Sequence, residues 1–149
     1  MMATFPSRKV GGPDGAVQTF KANGTIPMVG LVKSNTTTFE CVVAGTGTDQ
    51  PFGVALYDER KAIVNAAEQY VDDDATRVEA LAVGQVWNLK AEVAITKGDL
   101  CCAAGSGSVK KCTGTGEYAQ FRALAAIDAA ARGQFQVISG RFTTTAAGE

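Results

Sequence analysis

Alternation of apolar and polar residues is clearest in the middle of the chain, over residues 77–83 and 85–94. In the first segment Val78 and Ala80 alternate with charged neighbours, and a period of two is typical of a strand that buries one face. Gly84 lies between the segments and predicts a bulge or a tight bend. We therefore expect two consecutive strands here.

Shorter apolar and β-branched runs, separated by turn residues, extend this pattern along most of the chain. Segments 27–33 and 38–44 flank a Ser-Asn turn, which is typical of a hairpin, and segments 100–103 and 109–112 flank a Gly-Ser loop in the same way. Further strands are predicted at 52–57, 121–127 and 135–142. The sequence therefore predicts an all-β, mainly antiparallel fold, either a small β-sandwich or a barrel.

Residues 58–70 are the exception, because their apolar side chains recur at helical spacing. The residues at positions i, i+3, i+4 and i+7 are Ile63, Ala66, Ala67 and Tyr70. Asp58 is suited to cap the start of a helix, where its carboxylate accepts hydrogen bonds from free backbone N–H groups. The alternative is a long irregular insertion, and we expect a short inserted helix.

A weak internal repeat runs through the chain. One constant offset in numbering (114 − 45 = 69) places the Gly-Thr-Gly sequence at 45–47 on the one at 114–116, and Phe52 on Phe121. Two copies are too few for a solenoid, so the repeat predicts one small domain with internal pseudo-symmetry. We interpret the Gly-Thr-Gly sequences as hairpin loops. The predicted copies span residues 26–57 and 95–126.

The segment 1–25 is rich in glycine, proline and alanine, which favours neither a stable helix nor a central strand. We expect an extended N-terminal arm over residues 1–25, a β domain over residues 26–142 and a polar tail over residues 143–149. The alternative for the arm is an unattached tail. The side chains that are candidates to anchor the arm on a partner are Phe5, Arg8, Lys9, Val10 and Phe20.

The composition favours an interface. Apolar residues make up 46% of the chain and charged residues only 19%, which is a low share of polar surface for an isolated subunit. The alternative is that these residues only form a large core. Trp87 is the only tryptophan, and it is either a core residue or an anchor between copies, where tryptophan is enriched. Trp87 and Tyr57 are our candidates for an oligomer interface.

Net charge and hydropathy limit the classes of partner that we expect. The net charge is −1, from 14 basic and 15 acidic residues, which argues against a general nucleic-acid binder. No apolar run is long enough for a transmembrane helix, and no secretory signal is present, so we expect no membrane partner and synthesis in the cytoplasm. Charge is uneven, acidic over residues 58–79 and basic over residues 97–141, which favours contact between copies or with complementary partners.

The chain contains no histidine, which removes the commonest general base near neutral pH and excludes Ser-His-Asp and Cys-His catalysis. It also lacks a phosphate-binding loop and a dinucleotide-binding glycine motif. We therefore expect a protein that is not an enzyme and that uses no cofactor and no metal.

The cysteines and a run of aspartates are the residues that could bind a metal. The four cysteines are expected to be small buried apolar residues. The alternatives are a redox or disulfide role and a zinc site, which without histidine needs all four thiolates. Asp72, Asp73 and Asp74 lack EF-hand spacing and are interpreted as a solvated acidic turn. The cysteines are Cys41, Cys101, Cys102 and Cys112.

Three short motifs follow one another along the chain. They are G-V-A-L within residues 52–57, A-I-T-K-G-D-L at 94–100, and an alanine-rich segment at 123–137 that ends in valine. With these motifs, over roughly residues 26–140, the chain resembles the capsid decoration, or cement, proteins of tailed bacteriophages. Its helical insertion and its glycine-rich N-terminal segment depart from the pattern of that family.

The resemblance implies a small oligomeric β domain, commonly a homotrimer, on the outer surface of an assembled phage head. It implies that the major capsid protein is the partner and that the chain bridges neighbouring capsid subunits, with the arm residues as candidate contacts. The alternatives are another virion structural subunit, such as a minor capsid, head-tail joining or tail-tube protein, and a cysteine-dependent metal-binding or enzymatic barrel.

Overall fold

The computed structural model describes residues 9–35, 39–64 and 68–143, and strands dominate them. Up to residue 80 the elements are β1 (Lys9–Gly11), β2 (Val17–Ala22), β3 (Ile26–Pro27), β4 (Leu31–Ser34), β5 (Glu40–Val43), β6 (Gly53–Ala55), α1 (Glu59–Val64), β7 (Gln69–Tyr70) and β8 (Ala75–Ala80). The remaining strands are β9 (Val86–Lys90), β10 (Leu100–Ala103), β11 (Val109–Lys111), β12 (Tyr118–Ala123) and β13 (Arg132–Phe142). The predicted all-β class is confirmed.

Apart from a two-stranded sheet of β3 and β7, the strands form two larger sheets, and each of them closes on itself. In the first, β2, β5, β4, β6 and β8 follow one another around a closed barrel, and only β2 and β5 pair in parallel. In the second, the order is β1-β9-β13-β12-β10-β11, with antiparallel neighbours. A parallel bridge between Ala91 and Val109 joins the end of β9 to β11, so this sheet also curls round on itself.

An internal repeat is visible in the strand order. The order β2-β5-β4-β6-β8 in the first barrel corresponds strand for strand to β9-β11-β10-β12-β13 in the second. The repeat is therefore longer than the sequence indicated. Lys21 pairs with Ala75 in the first barrel, and Lys90 pairs with Arg132 in the second. The two lysines are 69 residues apart in the chain (90 − 21), but their partners are only 57 apart (132 − 75). The first copy therefore contains an insertion of 12 residues (69 − 57) between its equivalent strands. We call residues 17–80 the first unit and residues 86–142 the second unit.

The insertion contains the helix, which is shorter than predicted. Asp58 caps α1 as expected, since its Oδ1 accepts the N–H of Arg60 at 3.0 Å. The extension of the helix to Tyr70 was wrong, because Tyr70 pairs with Ile26 in a two-stranded sheet and its hydroxyl donates to the carbonyl of Leu56 at 2.6 Å. Ala66 and Ala67 lie outside the described residues. In the described part of the chain, no helix is long and apolar enough to cross a membrane.

The predicted boundary at residue 25 is corrected, because the segment before it belongs to the folded body. β2 pairs with β8 from Val17 to Lys21 and completes the first barrel, and β1 pairs with β9. Glycine makes this docking possible: Gly12 has φ +91°, and a Cβ there would lie 2.4 Å from the carbonyl oxygen of Gly84. Deleting residues 1–25 would therefore remove a barrel strand.

The equivalence of Phe52 and Phe121 was wrong by one residue. Val32 pairs with Gly53 in the first unit, and Cys101 pairs with Phe121 at the same place in the second. A shift of one residue moves a side chain to the opposite face of a strand. Phe121 is accordingly fully buried, whereas Phe52 is half-buried and packs edge-on against Phe20.

Two cores follow from alternation along β4 and β6. Val32 and Ala55 point into the first barrel, while their neighbours Leu31 and Val54 point outwards and pack on the second unit. The core of the first barrel consists of Ala22, Ile26, Met28, Val32, Cys41, Ala55, Tyr70 and Val78. The larger core fills the second unit and its junction with the first, so the two barrels share one apolar contact.

Val29 shows how strongly this junction constrains the chain. Its φ is +56°, a left-handed conformation that is unfavourable for a β-branched residue, and Gly98 takes the same place in the second unit with φ +90°. The N–H of Val29 donates to the carbonyl of Ala55 at 2.6 Å, and the N–H of Gly98 donates to the carbonyl of Ala123 at 2.8 Å. The same turn is thus closed in both units. Val29 is buried in the shared core, and the apolar contacts of its side chain offset the unfavourable backbone conformation.

The Gly-Thr-Gly sequences lie in crossing loops, so their interpretation as hairpin loops was wrong: β5 and β6 are separated by β4, and β11 and β12 by β10. Each loop is held by one carboxylate. Asp49 accepts the N–H groups of Gly45 and Thr46, and Glu117 accepts those of Thr113 and Gly114. The loops also contact each other, since the N–H of Tyr118 donates to the carbonyl of Gly47 at 2.7 Å.

We expect the two phenylalanines to differ in their effect on stability. Phe121→Ala leaves a cavity in the larger core and should lower the free energy of unfolding by about 3–5 kcal/mol. Phe52→Ala removes a half-buried ring and should cost about 1–2 kcal/mol. Urea denaturation of both variants measures this difference, and equal losses would contradict the register described above.

The loop carboxylates should make stability depend on acid pH. Burial opposes ionisation of Asp49 and Glu117, but hydrogen bonds from a lysine and two backbone N–H groups lower the pKa of each carboxyl. A lowered folded-state pKa stabilises the fold above the unfolded pKa, and this contribution is lost as pH falls. When the pH is lowered from about 4.5 to about 3, the free energy of unfolding should therefore fall less in Asp49→Asn and in Glu117→Gln than in the wild type. Asp128→Asn, at an exposed position, is the control, and an unchanged pH profile in both loop variants would contradict this assignment.

Candidate functional site

The N-terminal candidates lie partly outside the described residues, as Phe5 and Arg8 do. Lys9 does not project freely as a partner-binding cation would. Its ammonium group donates to Asp14 Oδ1 at 2.5 Å and to Glu79 Oε2 at 2.7 Å, and its side chain is 15% exposed. The hydrogen bonds to Asp14 and Glu79 raise the pKa of Lys9. Lys9 therefore fastens the N-terminal segment to β8.

Lys9 is one end of a buried polar network at the connection between the two units. Glu79 Oε2 also accepts Gln85 Nε2 at 3.2 Å, and Gln85 Oε1 accepts the indole N–H of Trp87 at 3.0 Å. Gln85 and Trp87 are fully buried and Glu79 is 8% exposed. We call this set the junction network. Its members are Lys9, Glu79, Gln85 and Trp87, and the exposed side chain of Asp14 extends it to the surface.

Of the two interface candidates, Trp87 is corrected and Tyr57 stays a candidate. Trp87 has no exposed surface, so its ring packs the larger core and is not available to another copy. Tyr57 is half-buried and packs against both cores, at the place where the inserted helix begins. Phe20, a candidate from the N-terminal segment, is half-buried and packs on the core of the first barrel against Phe52, with ring centroids 5.2 Å apart.

An open sheet edge carries the remaining N-terminal candidate. β1 is the outermost strand of its sheet, and Val10 on it is 53% exposed. Val83 is 64% exposed and precedes Gly84, which lies against Gly12. Val10 and Val83 thus leave apolar surface exposed near the open edge of β1.

The second open edge is the end of β13. β9 pairs with β13 up to Gln136, and no described strand lies on that side of β13 beyond Val137. The residues that follow are mostly exposed, and Phe142, at 50%, stacks edge-on with Tyr118. We call Val10, Val83 and residues 138–142 the edge surface. Unpaired strand edges are ready to accept an added strand.

A cleft of about 460 Å³ lies between the units, but its chemistry is largely satisfied internally. Arg132 crosses it and donates to the carbonyls of Asn88, at 3.1 Å, and Met28, at 3.5 Å. Burial lowers the pKa of Arg132. Glu92, also on its wall, accepts the N–H of Gly105 at 2.8 Å. The contact with Met28 joins the units, and the charged residues along the cleft are of both signs, so no concentrated charge is left for a ligand.

The acidic turn at 72–74 behaves as a structural turn. Asp72 accepts the N–H of Gly24, Asp74 accepts the N–H of Val71, and Asp73 pairs with Lys21. The three carboxylates therefore have different partners, and they are not among the described side chains that converge as possible metal ligands.

All four cysteines are buried, as expected. Cys41 lies inside the first barrel, where burial raises the pKa of its thiol to about 11. Cys101 lies inside the second barrel, and burial raises the pKa of its thiol as well. Cys102 and Cys112 form a separate small cluster with Ala119, outside both barrels.

The comparisons with known proteins add a structural relative. No family model matches the chain, and no curated protein matches its sequence. The N-terminal base of the head fibre protein gp8.5 of bacteriophage phi29 has a similar fold, with a TM-score of 0.63 at 15% identity. The match covers 82% of this chain and 92% of that one. The two chains therefore share the fold.

Loss of the junction network should be costly because its donors and acceptors are buried. Gln85→Ala takes away the acceptor of the Trp87 indole N–H and one donor to Glu79, and should lower the free energy of unfolding by about 2–4 kcal/mol. Gln134→Ala, at an exposed position of β13, is the control. Urea denaturation compares them, and similar small losses in both variants would show that the network contributes little.

Proposed function

We propose that this chain is a structural protein of a bacteriophage head, held on the outer surface of the capsid. The observation that carries this proposal is the fold that it shares, over most of both chains, with the base of a phage head fibre. The decoration-protein motifs in the sequence support the same location. A site in the virion with prior synthesis in the host cytoplasm agrees with four cysteines that carry no disulfide.

The mechanism we propose is physical rather than enzymatic. The edge surface offers unpaired backbone groups together with exposed apolar side chains at Val10, Val83 and Phe142. A strand of the major capsid protein that pairs with either edge gains main-chain hydrogen bonds and buries these side chains. Repetition over a capsid gives avidity, so each contact needs only modest affinity. A chain that contacts two capsid subunits in this way holds them together against internal pressure.

A homotrimer is the assembly we propose, by analogy with decoration proteins. The uneven charge supports contact between copies, since residues 58–79 carry seven acidic and three basic side chains, and residues 97–141 carry six basic and three acidic ones. We propose neither a direct contact with nucleic acid nor a membrane partner.

A second candidate within the same class is the base of a head fibre, which the structural relative favours directly. The two roles differ in what a particle loses without the chain. Loss of a decoration protein lowers the temperature at which heads rupture, whereas loss of a fibre base removes projections seen by electron microscopy. Particles assembled with and without the chain separate these roles.

We expect the purified chain to co-sediment with expanded heads of the phage that encodes it and not with unexpanded ones. Val10→Asp and Val83→Asp place a carboxylate in the edge surface and should reduce binding by about tenfold or more, because a buried unpaired charge is unfavourable. Val71→Asp is the matched control, since Val71 is also an exposed valine, at 44%, but lies in the acidic turn region. Absence of binding to heads in either state would overturn the proposed function, and equal effects of all three variants would exclude the edge surface as the contact.

A further inference from the structure

The second unit carries a pair of cysteines that the first unit does without. Strand pairing aligns Cys101 with Val32, so the next residue, Cys102, takes the place of Lys33. On the neighbouring strand, Lys111 aligns with Val43, so Cys112 takes the place of an alanine, Ala44. The same three-stranded arrangement therefore folds without sulfur at either position.

The contact that the fold needs at this place is preserved by other means. In the first unit Lys33 reaches the loop carboxylate of Asp49 at 2.8 Å. In the second unit the carboxylate is Glu117, and it is reached at 2.7 Å by Lys110, from β11 instead of β10. Relocation of the lysine frees the position that Cys102 occupies. Neither thiol is thus required to hold the loop.

The two thiols and this carboxylate converge. One ligand atom from each of Cys102, Cys112 and Glu117 lies within 4.8 Å of the other two. Both cysteines have no exposed surface, and the Glu117 side chain is 12% exposed. No sequence motif announces this group, because the cysteines are not at a short C-x-x-C spacing and meet only through the pairing of β10 with β11.

We propose that Cys102, Cys112 and Glu117 bind a thiophilic divalent cation of the zinc class. Thiolates and a carboxylate are zinc ligands, and three protein ligands leave a fourth position for water. Cys41 and Cys101 are not needed, because both lie in barrel interiors on other faces. The site differs from a four-thiolate centre, the form that the sequence alone suggested for a metal.

Charge balance supports a divalent ion. Two thiolates and the Glu117 carboxylate carry three negative charges, and the Lys110 ammonium with a divalent cation supplies three positive ones, so the loaded cluster is neutral. A buried cluster of net charge is unfavourable. Glu117 Oε2 accepts one hydrogen bond from Lys110 and, as a carboxylate oxygen, keeps a lone pair for the metal.

Proton release is part of binding. The thiolate is the form of cysteine that binds a metal, and an ordinary cysteine thiol is still protonated near neutral pH. A metal displaces that proton, and affinity should therefore fall as pH is lowered.

The test is titration of the full chain, kept reduced, with Cd²⁺ as a spectroscopic substitute for zinc. We expect one Cd²⁺ per chain, with thiolate-to-cadmium charge-transfer absorption, and displacement of the Cd²⁺ by Zn²⁺. Cys102→Ala and Cys112→Ala should abolish the absorption, and Glu117→Gln should weaken binding by about tenfold or more. Cys112→Ala introduces the residue of the equivalent first-unit position, so we expect it to fold, and circular dichroism checks each variant.

Two matched controls make the test specific. Cys101→Val replaces a thiol by the residue that the first unit has at the same place, and Asp49→Asn removes the equivalent carboxylate of that unit. Both should bind Cd²⁺ like the wild type. The proposal is overturned if no stoichiometric binding occurs, if binding survives in folded Cys112→Ala, or if Cys101→Val loses binding equally.

Discussion

The parallel contact that closes each barrel is the constraint on which the rest of the structure depends. Antiparallel neighbours join the other strands, but only the pairing of Ala22 with Cys41, and the bridge between Ala91 and Val109, brings the two ends of each sheet together. This contact requires the strand that begins each unit. Residues 17–22 are therefore part of the wall of the first barrel, and the segment before them is drawn against the start of the second unit. The free edges that remain, at β1 and at the end of β13, are those that closure does not use.

Local patterns in the sequence were sufficient for the class, for most strands and for the repeat. They failed where distant residues decide. The segment Val17–Ala22 lacks an alternating apolar pattern and follows a glycine-rich stretch, yet it becomes a strand because β8 and β5 lie on either side of it. The alignment of Phe52 with Phe121 failed because the second unit has one residue fewer between β10 and β11 than the first has between β4 and β5. The next strand, β6, is therefore aligned with β12 one residue differently. Tyr70 fitted a helical period but is drawn into the pairing with Ile26.

The candidate site was predicted less well than the fold, for a related reason. Lys9 is a candidate for contact with a partner in the sequence, but its ammonium group pairs with Glu79, which is distant along the chain. The sequence left Trp87 open between core and interface and favoured the core, and the amide of Gln85 satisfies its indole there. The thiols of Cys102 and Cys112 meet only through strand register. In contrast, the exposure of Val10 agrees with its selection as a candidate, because a short edge strand can bury only one of its faces.

Val29 has a consequence for how the molecule unfolds. Its backbone is held in an unfavourable conformation while its side chain fills the core shared by both units, whereas Gly98, its counterpart, adopts this conformation without strain. The valine is thus tolerated only while the second unit remains in place beside it. Separation of the units would leave the first with a strained turn and an exposed apolar face. Cooperativity therefore extends over both barrels, and the duplicated chain should lose its structure in a single transition instead of one half at a time.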